Sequence, residues 1–438
     1  MTSFFALICL LLSIQLVYPF VTVLVAQLFG RRNNNKAPSY ASTYVKTLAD
    51  KKATAGKPVH QSTNPPVYQT TNPHYACIIT AYRNAEIAKP LVQSLLGQTY
   101  PNFTIYFVAD ECPDFDFGIT DPRFVALRPS EPLRLKAKSI LKAIENFRHA
   151  HDFVAIFDAD NLAHPKYLEE LNPFISVGFR CIQGQRTAKN LDSTYAALDS
   201  MGEHYKNYIE REVPYRLGGS AVISGSGMAT ETELYQAYLA SPEIEQGQHQ
   251  WKKMLQEDKI LQNFLLLAAE RIAYARQAVV YDEKVETGSA VETQRSRWLF
   301  SYFQNVPNAL GILRRGFLGL NFNQLYFGFV TLALPMFIQL ALAIILALLA
   351  LFILPIWSGV LLVAIVIFGL NILWVLYLDE APPEVWRAVW QVPKFVLRQL
   401  TGLFKMRDPN KHFKHTEHRK MVSVDEIVGR TSDSAQKD

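Results

Sequence analysis

The chain has 438 residues, 49% of them hydrophobic, 12% aromatic and 19% charged, with a formal net charge of +5. With a mean hydropathy of +0.04, this composition excludes a disordered chain, a collagen-like repeat and a small disulfide scaffold. The length suffices for one large domain or two ordinary ones, at about 150 residues per domain.

The apolar residues are unevenly spread. Phe4 to Gly30 carries no charge and has neither a basic start nor a small-residue cleavage site. Residues 1–30 are therefore predicted to be a retained transmembrane helix rather than a cleaved signal. Residues 31–71 are rich in Asn, Lys, Thr, Ser and Pro without apolar periodicity and read as a flexible basic tether of about +6. By the positive-inside rule this collar, beginning at Arg31-Arg32, faces the cytoplasm. Residues 379–438 carry about +2 and the middle of the chain about -3. The basic excess is thus membrane-proximal, and nucleic acid is not a predicted partner.

From Tyr75 to about Val285, short apolar runs alternate with helical segments. Strands are predicted at Tyr75–Tyr82, Phe103–Asp110, Phe124–Leu127 and Phe153–Asp158, with helices over 85–96, about 135–147 and from Pro165. Runs buried on both faces and separated by helices predict an α/β domain with a mostly parallel sheet. Ligands of such sheets bind at the carboxyl ends of the strands, which here bear Tyr82, Asp110 and Asp158-Ala159-Asp160. One strand-end Asp is more often a turn former or helix cap than a ligand. Several converging on one crevice repel one another, and a divalent cation bridging carboxylate and diphosphate resolves this; hard oxygen donors suit Mg2+ or Mn2+. Gly225-Ser226-Gly227 lacks the later Gly and Lys of nucleotide-cradling loops. The four cysteines form no CxxC pair, so neither a zinc site nor a disulfide framework is predicted.

A second charge-free stretch runs from Gly316 to Leu378, and its apolar part from about Leu325 accommodates two spans of about 20 residues. Pro355 and Ser358-Gly359 supply the turn of a hairpin over 325–378, with Tyr326, Trp357, Trp374 and Tyr377 near its ends. Beyond it, Val385, Val389, Val392, Val396, Leu400 and Leu403 recur at helical spacing opposite a mostly basic stripe. This predicts an interfacial amphipathic helix bent at Pro393, within a cytoplasmic 379–438 segment that ends in a basic tail. A helix packed on the soluble domain is the alternative. His412, His415 and His418 are read as part of a solvated tail rather than a metal site.

The ordered set Asp110, Asp158-Ala159-Asp160, Glu257-Asp258 and Gln294-Arg295-Ser296-Arg297-Trp298 resembles the D, DxD, (E/D)D, QxxRW signature of family 2 glycosyltransferases. It looks most like the membrane-embedded branch of cellulose, hyaluronan, chitin and poly-N-acetylglucosamine synthases and ceramide glucosyltransferases. The resemblance covers about residues 72–320 and implies a GT-A (Rossmann-like) domain performing inverting transfer from a nucleoside diphosphate sugar. Carried over by position, Tyr82, Glu86 and Asp110 would hold nucleobase and ribose, and Lys136 would lie near the nucleotide. Asp158 would contact the diphosphate side, and Asp160 would ligate the metal, with Asp158 beside it. Gly225, Ser226 and Gly227, up to Met228, would floor the acceptor pocket. Asp258 would be the general base with Glu257 adjacent, while Gln294 and Arg297 would engage the diphosphate and Trp298 the acceptor sugar. The first motif lacks the usual proline, and Glu111-Cys112-Pro113 replaces the common D-G-S.

The chemistry asks for these residue types. Direct displacement needs a carboxylate to take the acceptor proton. A departing diphosphate is stabilised by a metal and by the planar fork of an Arg. The expected activity is transfer of a hexose or N-acetylhexosamine from a UDP-sugar to a polysaccharide or membrane lipid, at the inner or plasma membrane with the domain in the cytoplasm. Three spans are few for a self-exporting synthase, which favours a lipid acceptor or a synthase with an oligomeric or export partner. The alternatives are an inactive scaffold of this fold in an envelope assembly complex, and a secreted binding protein.

Overall fold

The computed structural model describes residues 2–30, 72–244, 256–404 and 422–435. The predicted tether 31–71 and the tail histidines lie outside these residues.

The four predicted strands form as β1 (Tyr75–Tyr82), β2 (Phe103–Asp110), β3 (Phe124–Leu127) and β4 (Phe153–Asp158). With β5 (Leu162–Ala163), β6 (Cys181–Ala188), β7 (Met228–Glu231) and β8 (Ile272–Asp282) they make an eight-stranded sheet in the order β3-β2-β1-β4-β7-β6-β8-β5. β1 runs parallel to β2 and β4, and β7 runs antiparallel to β4 and β6. Every residue of β2 is buried, which explains its unbroken apolar run. The register sets Tyr82 opposite Asp110 and Thr80 opposite Asp158, so the acid-bearing ends lie side by side.

The helices in chain order are α1 (Thr2–Phe29), α2 (Lys89–Leu96), α3 (Lys136–Glu145), α4 (Asn172–Ser176), α5 (Thr194–Lys206), α6 (Val213–Arg216), α7 (Thr232–Leu239) and α8 (Glu257–Leu267). They continue as α9 (Gly288–Leu318), α10 (Phe322–Leu332), α11 (Met336–Ile353), α12 (Pro355–Leu378), α13 (Pro383–Ala388), α14 (Val392–Phe404) and α15 (Val424–Ala435). A π-helical stretch, Asn207–Glu212, joins α5 to α6. The predicted helix over 85–96 is a 3-10 turn, Glu86–Ala88, followed by α2, and the helix placed from Pro165 begins as a turn and a 3-10 stretch, Glu169–Leu171, and becomes α-helical only at Asn172.

Among the described residues, three helices are long and apolar enough to cross a membrane: α1, α11 and α12. They pack through Cys9, Leu16, Ala343, Ala347, Leu361, Ala364 and Phe368, the small residues allowing the close approach common between lipid-embedded helices. Large apolar side chains such as Leu11, Phe352 and Val363 face outward, a surface too greasy for water. The hairpin differs from expectation at both ends. Its turn is at Leu354, with Ser358-Gly359 inside α12, and the apolar run from Leu325 first forms α10. There Gly328 packs against the backbone of Leu313 on α9, where any side chain would clash.

Two of these helices end on the α/β domain. Arg216 donates to the Ala26 carbonyl at 2.7 Å, satisfying an end-of-helix acceptor of α1. Past α12, Asp379 accepts from His204 at 2.7 Å and pairs with Arg276 at 3.6 Å. The amphipathic segment is split by a 3-10 turn, Val389–Gln391, so Pro393 sits in the first turn of α14 instead of bending a continuous helix. Val385, Ala388 and Phe395 are buried against Ala197, Leu198 and Met201 of α5, Val291 of α9 and Leu376 of α12, while Trp390 and Leu397 remain exposed. One face thus packs on the domain and the other stays apolar and open.

Candidate active site

The last residue of β4, Asp158, accepts from Lys136 Nζ at 2.5 Å. Lys136 opens α3, donates to the Gly225 carbonyl at 2.8 Å and lies 3.8 Å from Glu257 Oε1. Gly225 adopts φ +78°, and a β-carbon there would meet Asp258 Cβ at 3.4 Å. The end of β4, the start of α3, the glycine turn and the start of α8 therefore converge on one carboxylate and lysine cluster. Glu257 and Asp258 stand in the first turn of α8, where the free N–H groups of a helix favour negative charge. The glycine turn is itself fixed: Gln183 Nε2 donates to the Ser226 and Gly227 carbonyls at 3.1 and 2.9 Å, and Gly227 N donates to the Ile156 carbonyl at 2.9 Å.

The cluster has unusual electrostatics. Burial pushes the Glu257 carboxyl up to about 7; Asp258 adds to the rise and Lys136 opposes it. Burial also acts to raise Asp158, but Lys136 and Arg186 hold it below the usual carboxylate range. For Lys136, burial acts downward and is outweighed by Asp158 and Glu257, so its ammonium persists above its ordinary range. Of the acids expected to need a metal, Asp158 already has an internal cation, which it shares with Glu257.

On the neighbouring strand ends, Asp110 is nearly buried and accepts from the backbone N–H groups of Leu133 at 2.8 Å and Arg134 at 2.6 Å. It thereby fixes the turn that delivers Lys136. Tyr82 is half-buried and hydrogen-bonds Glu111, while Glu86 is exposed at the start of its 3-10 turn. Arg83, Glu111 and Arg134 all have positive φ, at 63°, 51° and 56°, and Glu111 pairs with Arg134 at 2.7 Å and Arg83 at 3.4 Å. Three left-handed non-glycine residues at adjacent strand ends store strain of the kind that gathers at binding sites.

The donor set fits a hard divalent cation. Asp158 and Asp160 offer carboxylate oxygens, and the Asp158 side chain is 40% exposed, so a cation reaches it. Asp160 is half-buried beside β4, its carbonyl accepting from Lys189 at 2.9 Å.

The QxxRW segment occupies the early turns of α9, whose N-cap is Thr287. Arg295 pairs with Asp199 of α5 at 2.5 Å, and both Arg295 and Lys206 lie over the Trp298 ring at 4.4 Å from its centre. The π-face expected to meet a sugar is therefore already engaged by cations. Burial lowers the Arg297 guanidinium. Gln294 Oε1 is buried with no hydrogen-bond partner among the described residues, a polar atom that a ligand would satisfy. Among the described residues, neither Gln294 nor Trp298 hydrogen-bonds the carboxylate cluster.

Sequence reading missed a buried ionic layer beneath this site. Arg186 of β6 pairs with Asp282 of β8 at 2.6 Å, Lys284 bridges Asp282 at 2.9 Å and Glu203 at 3.4 Å, and Arg211 pairs with Glu203 at 2.9 Å. The signal was present: Asp282 closes the strand run Ile272–Tyr281, apolar except at Arg276 and Gln277, as Asp110 and Asp158 close theirs.

The mixed α/β sheet with its acids at adjacent strand ends is like that of GT-A glycosyltransferases. Residues 73–301 match the family described as Glycosyltransferase like family 2, and the chain belongs to that family. Among solved structures, it is similar to the mannosyltransferase PcManGT from Pyrobaculum calidifontis in complex with GDP-Man and Mn2+, at 15% identity over 83% of this chain and 99% of that one, TM-score 0.42. It is also similar to residues 1–349 of S. aureus TarS, at 17% identity over 55% of this chain and 65% of that one, TM-score 0.36. The same TarS fragment in complex with UDP-GlcNAc aligns at 17% identity over 49% and 59% of the two chains, TM-score 0.35. No curated protein sequence matches the chain.

Proposed function

We propose that the protein is a membrane-anchored inverting glycosyltransferase that transfers a hexose or N-acetylhexosamine from a UDP-sugar to a polysaccharide or membrane-lipid acceptor. It would belong with the cellulose, hyaluronan, chitin and ceramide-glucosylating branch. The observation that carries this reading is the meeting of Glu257-Asp258, Lys136, Asp158 and Gly225 at the carboxyl ends of the parallel strands.

Asp258 takes the proton of the acceptor hydroxyl as its oxygen attacks the anomeric carbon from the face opposite the leaving group. Glu257, protonated up to about pH 7, keeps a second negative charge away from the base at lower pH. Lys136, with Arg297 and Gln294, receives the charge that develops on the departing diphosphate. Asp158 and Asp160 would hold Mg2+ or Mn2+, which supplies Lewis-acid stabilisation of that diphosphate. Tyr82, Glu86 and Asp110 border the nucleoside side, while Gly225, Ser226, Gly227 and Trp298 border the acceptor side. With α1, α11 and α12 in the bilayer, the basic collar places the domain on the cytoplasmic side of the cell membrane, where the acceptor lies at the lipid surface or an export partner receives the product.

Membranes bearing the protein, incubated with labelled UDP-sugars, should yield product in organic solvent for a lipid acceptor or in a high-mass fraction for a polymer. Asp258→Asn should abolish either product while UDP-sugar binding persists. Wild-type turnover in that variant removes Asp258 from the mechanism.

A further inference from the structure

We infer that His74, His149 and His151 form a transition-metal site at the end of the sheet opposite the carboxylate cluster. His74 immediately precedes β1, and His149 and His151 precede β4. These strands are parallel neighbours with Tyr75 opposite Phe153, so their amino ends bring the three rings together. Eight residues of strand at about 3.3 Å each separate this end from Tyr82 and its neighbours by roughly 25 Å, so this site is independent of the Asp158 and Asp160 pair.

One nitrogen from each ring lies within 4.8 Å of the other two. His74 Nδ1 is 2.9 Å from His151 Nδ1, and the ring centres are 4.5, 4.8 and 4.4 Å apart. A tetrahedral ion with nitrogen bonds of about 2.0–2.1 Å sets its ligand atoms about 3.4 Å apart, inside the range these nitrogens span.

The surroundings prepare the rings as ligands. Tyr106 OH lies 2.9 Å from His151 Nε2, and His149 Nδ1 donates to the Ala150 carbonyl at 3.1 Å, which leaves Nε2, 3.2 Å from Thr104 Oγ1, as the lone pair that His149 offers. Asp152 accepts from the His74 backbone N–H at 2.7 Å and holds that residue in place. Such outer partners set tautomer and ring orientation in metal sites. Without an ion, the two facing Nδ1 atoms share one proton. When a metal binds, the His151 proton moves to Nε2, where the Tyr106 oxygen accepts it, and both Nδ1 lone pairs are freed with no net proton lost. His149 is exposed, which leaves a fourth position open to solvent. Three imidazoles and an open position fit Zn2+ or a similar borderline ion and are a poor match for Mg2+. Bound there, the ion ties the segments entering β1 and β4 together.

The test uses the full-length protein in detergent with His412, His415 and His418 changed to Ala, and excess Mg2+ to occupy hard-oxygen sites. Titration with Co2+ should give one equivalent of binding with the intense visible bands of a low-coordinate nitrogen site, and Zn2+ should displace it and raise the thermal midpoint. His149→Ala, a change at an exposed residue that the fold tolerates, should weaken binding at least about tenfold and remove both the bands and the Zn2+-dependent rise. Tyr106→Phe should weaken binding to a smaller degree. Absence of the bands in the parent, or bands unchanged in His149→Ala, overturns the assignment.

Discussion

Lys136 Nζ donates to Asp158 Oδ1 across 2.5 Å, joining the first turn of α3 to the last residue of β4. The ammonium neutralises part of the cluster's charge and would compete with a divalent ion for Asp158. Lys136→Met should therefore lower kcat by about two orders of magnitude or more, through loss of charge stabilisation at the leaving group. The concentration of Mg2+ or Mn2+ giving half-maximal activity should fall at the same time, because a competing cation has gone. A titration of activity against metal in wild type and variant checks both; an unchanged metal requirement would show that the two cations do not compete.

Glu257 makes the site pH-sensitive. Its carboxyl is pushed up to about 7 from an ordinary 4.5, so the pH dependence of kcat/KM should inflect near 7. Glu257→Gln should erase that inflection, which a pH–rate series measures. Stability also depends on this group. Between about 4.5 and 7 the folded chain binds the Glu257 proton and the unfolded chain does not, so this group's contribution to stability falls as pH rises through that window. The Gln variant should lose that slope in thermal melts run from pH 4.5 to 8.

Gly225→Ala tests the contact between the glycine turn and the base. The residue has φ +78° and its new β-carbon would sit 3.4 Å from Asp258 Cβ. The conformation costs an L-residue about 1–2 kcal/mol, and the new methyl, in van der Waals contact with Asp258, restricts the base. Activity should fall more than tenfold with only a few degrees lost in thermal midpoint. Equal losses in a variant at Gly118, where φ is +65° but a β-carbon meets open space, would assign the effect to strain alone.

Exhaustive chelation with EDTA should stop transfer, and Mg2+ or Mn2+ should restore it, with Asp160→Asn blocking the recovery. Full activity after chelation would remove the metal from Asp158 and Asp160.

The buried ionic layer gives a stability prediction. Asp282→Ala leaves Arg186 and Lys284 facing each other without their shared carboxylate. Breaking such a buried network should cost about 3–5 kcal/mol, measurable as a large drop in thermal midpoint, whereas Arg128→Ala at an exposed pair with Asp114 should cost under about 1 kcal/mol.

Much of this protein was legible in its sequence because the signals are local. Apolar runs fixed by the pleat gave β1 to β4 at their observed bounds, and unbroken greasy stretches gave the three candidate spans. Motif order pointed to the family that residues 73–301 match. Local signals failed where neighbours decided the outcome. Gly328 against α9 turned the start of an apparent span into α10, and the packing of Val385, Ala388 and Phe395 against α5 seated a segment that periodicity alone would lay flat on lipid. Only the tertiary structure put Lys136 between Asp158 and Glu257, made cations the neighbours of Trp298, and gathered three histidines from the entries to β1 and β4. Pattern along a chain reports which face is buried and where a strand ends; which charges meet depends on strand order and register, and those are set by long-range packing.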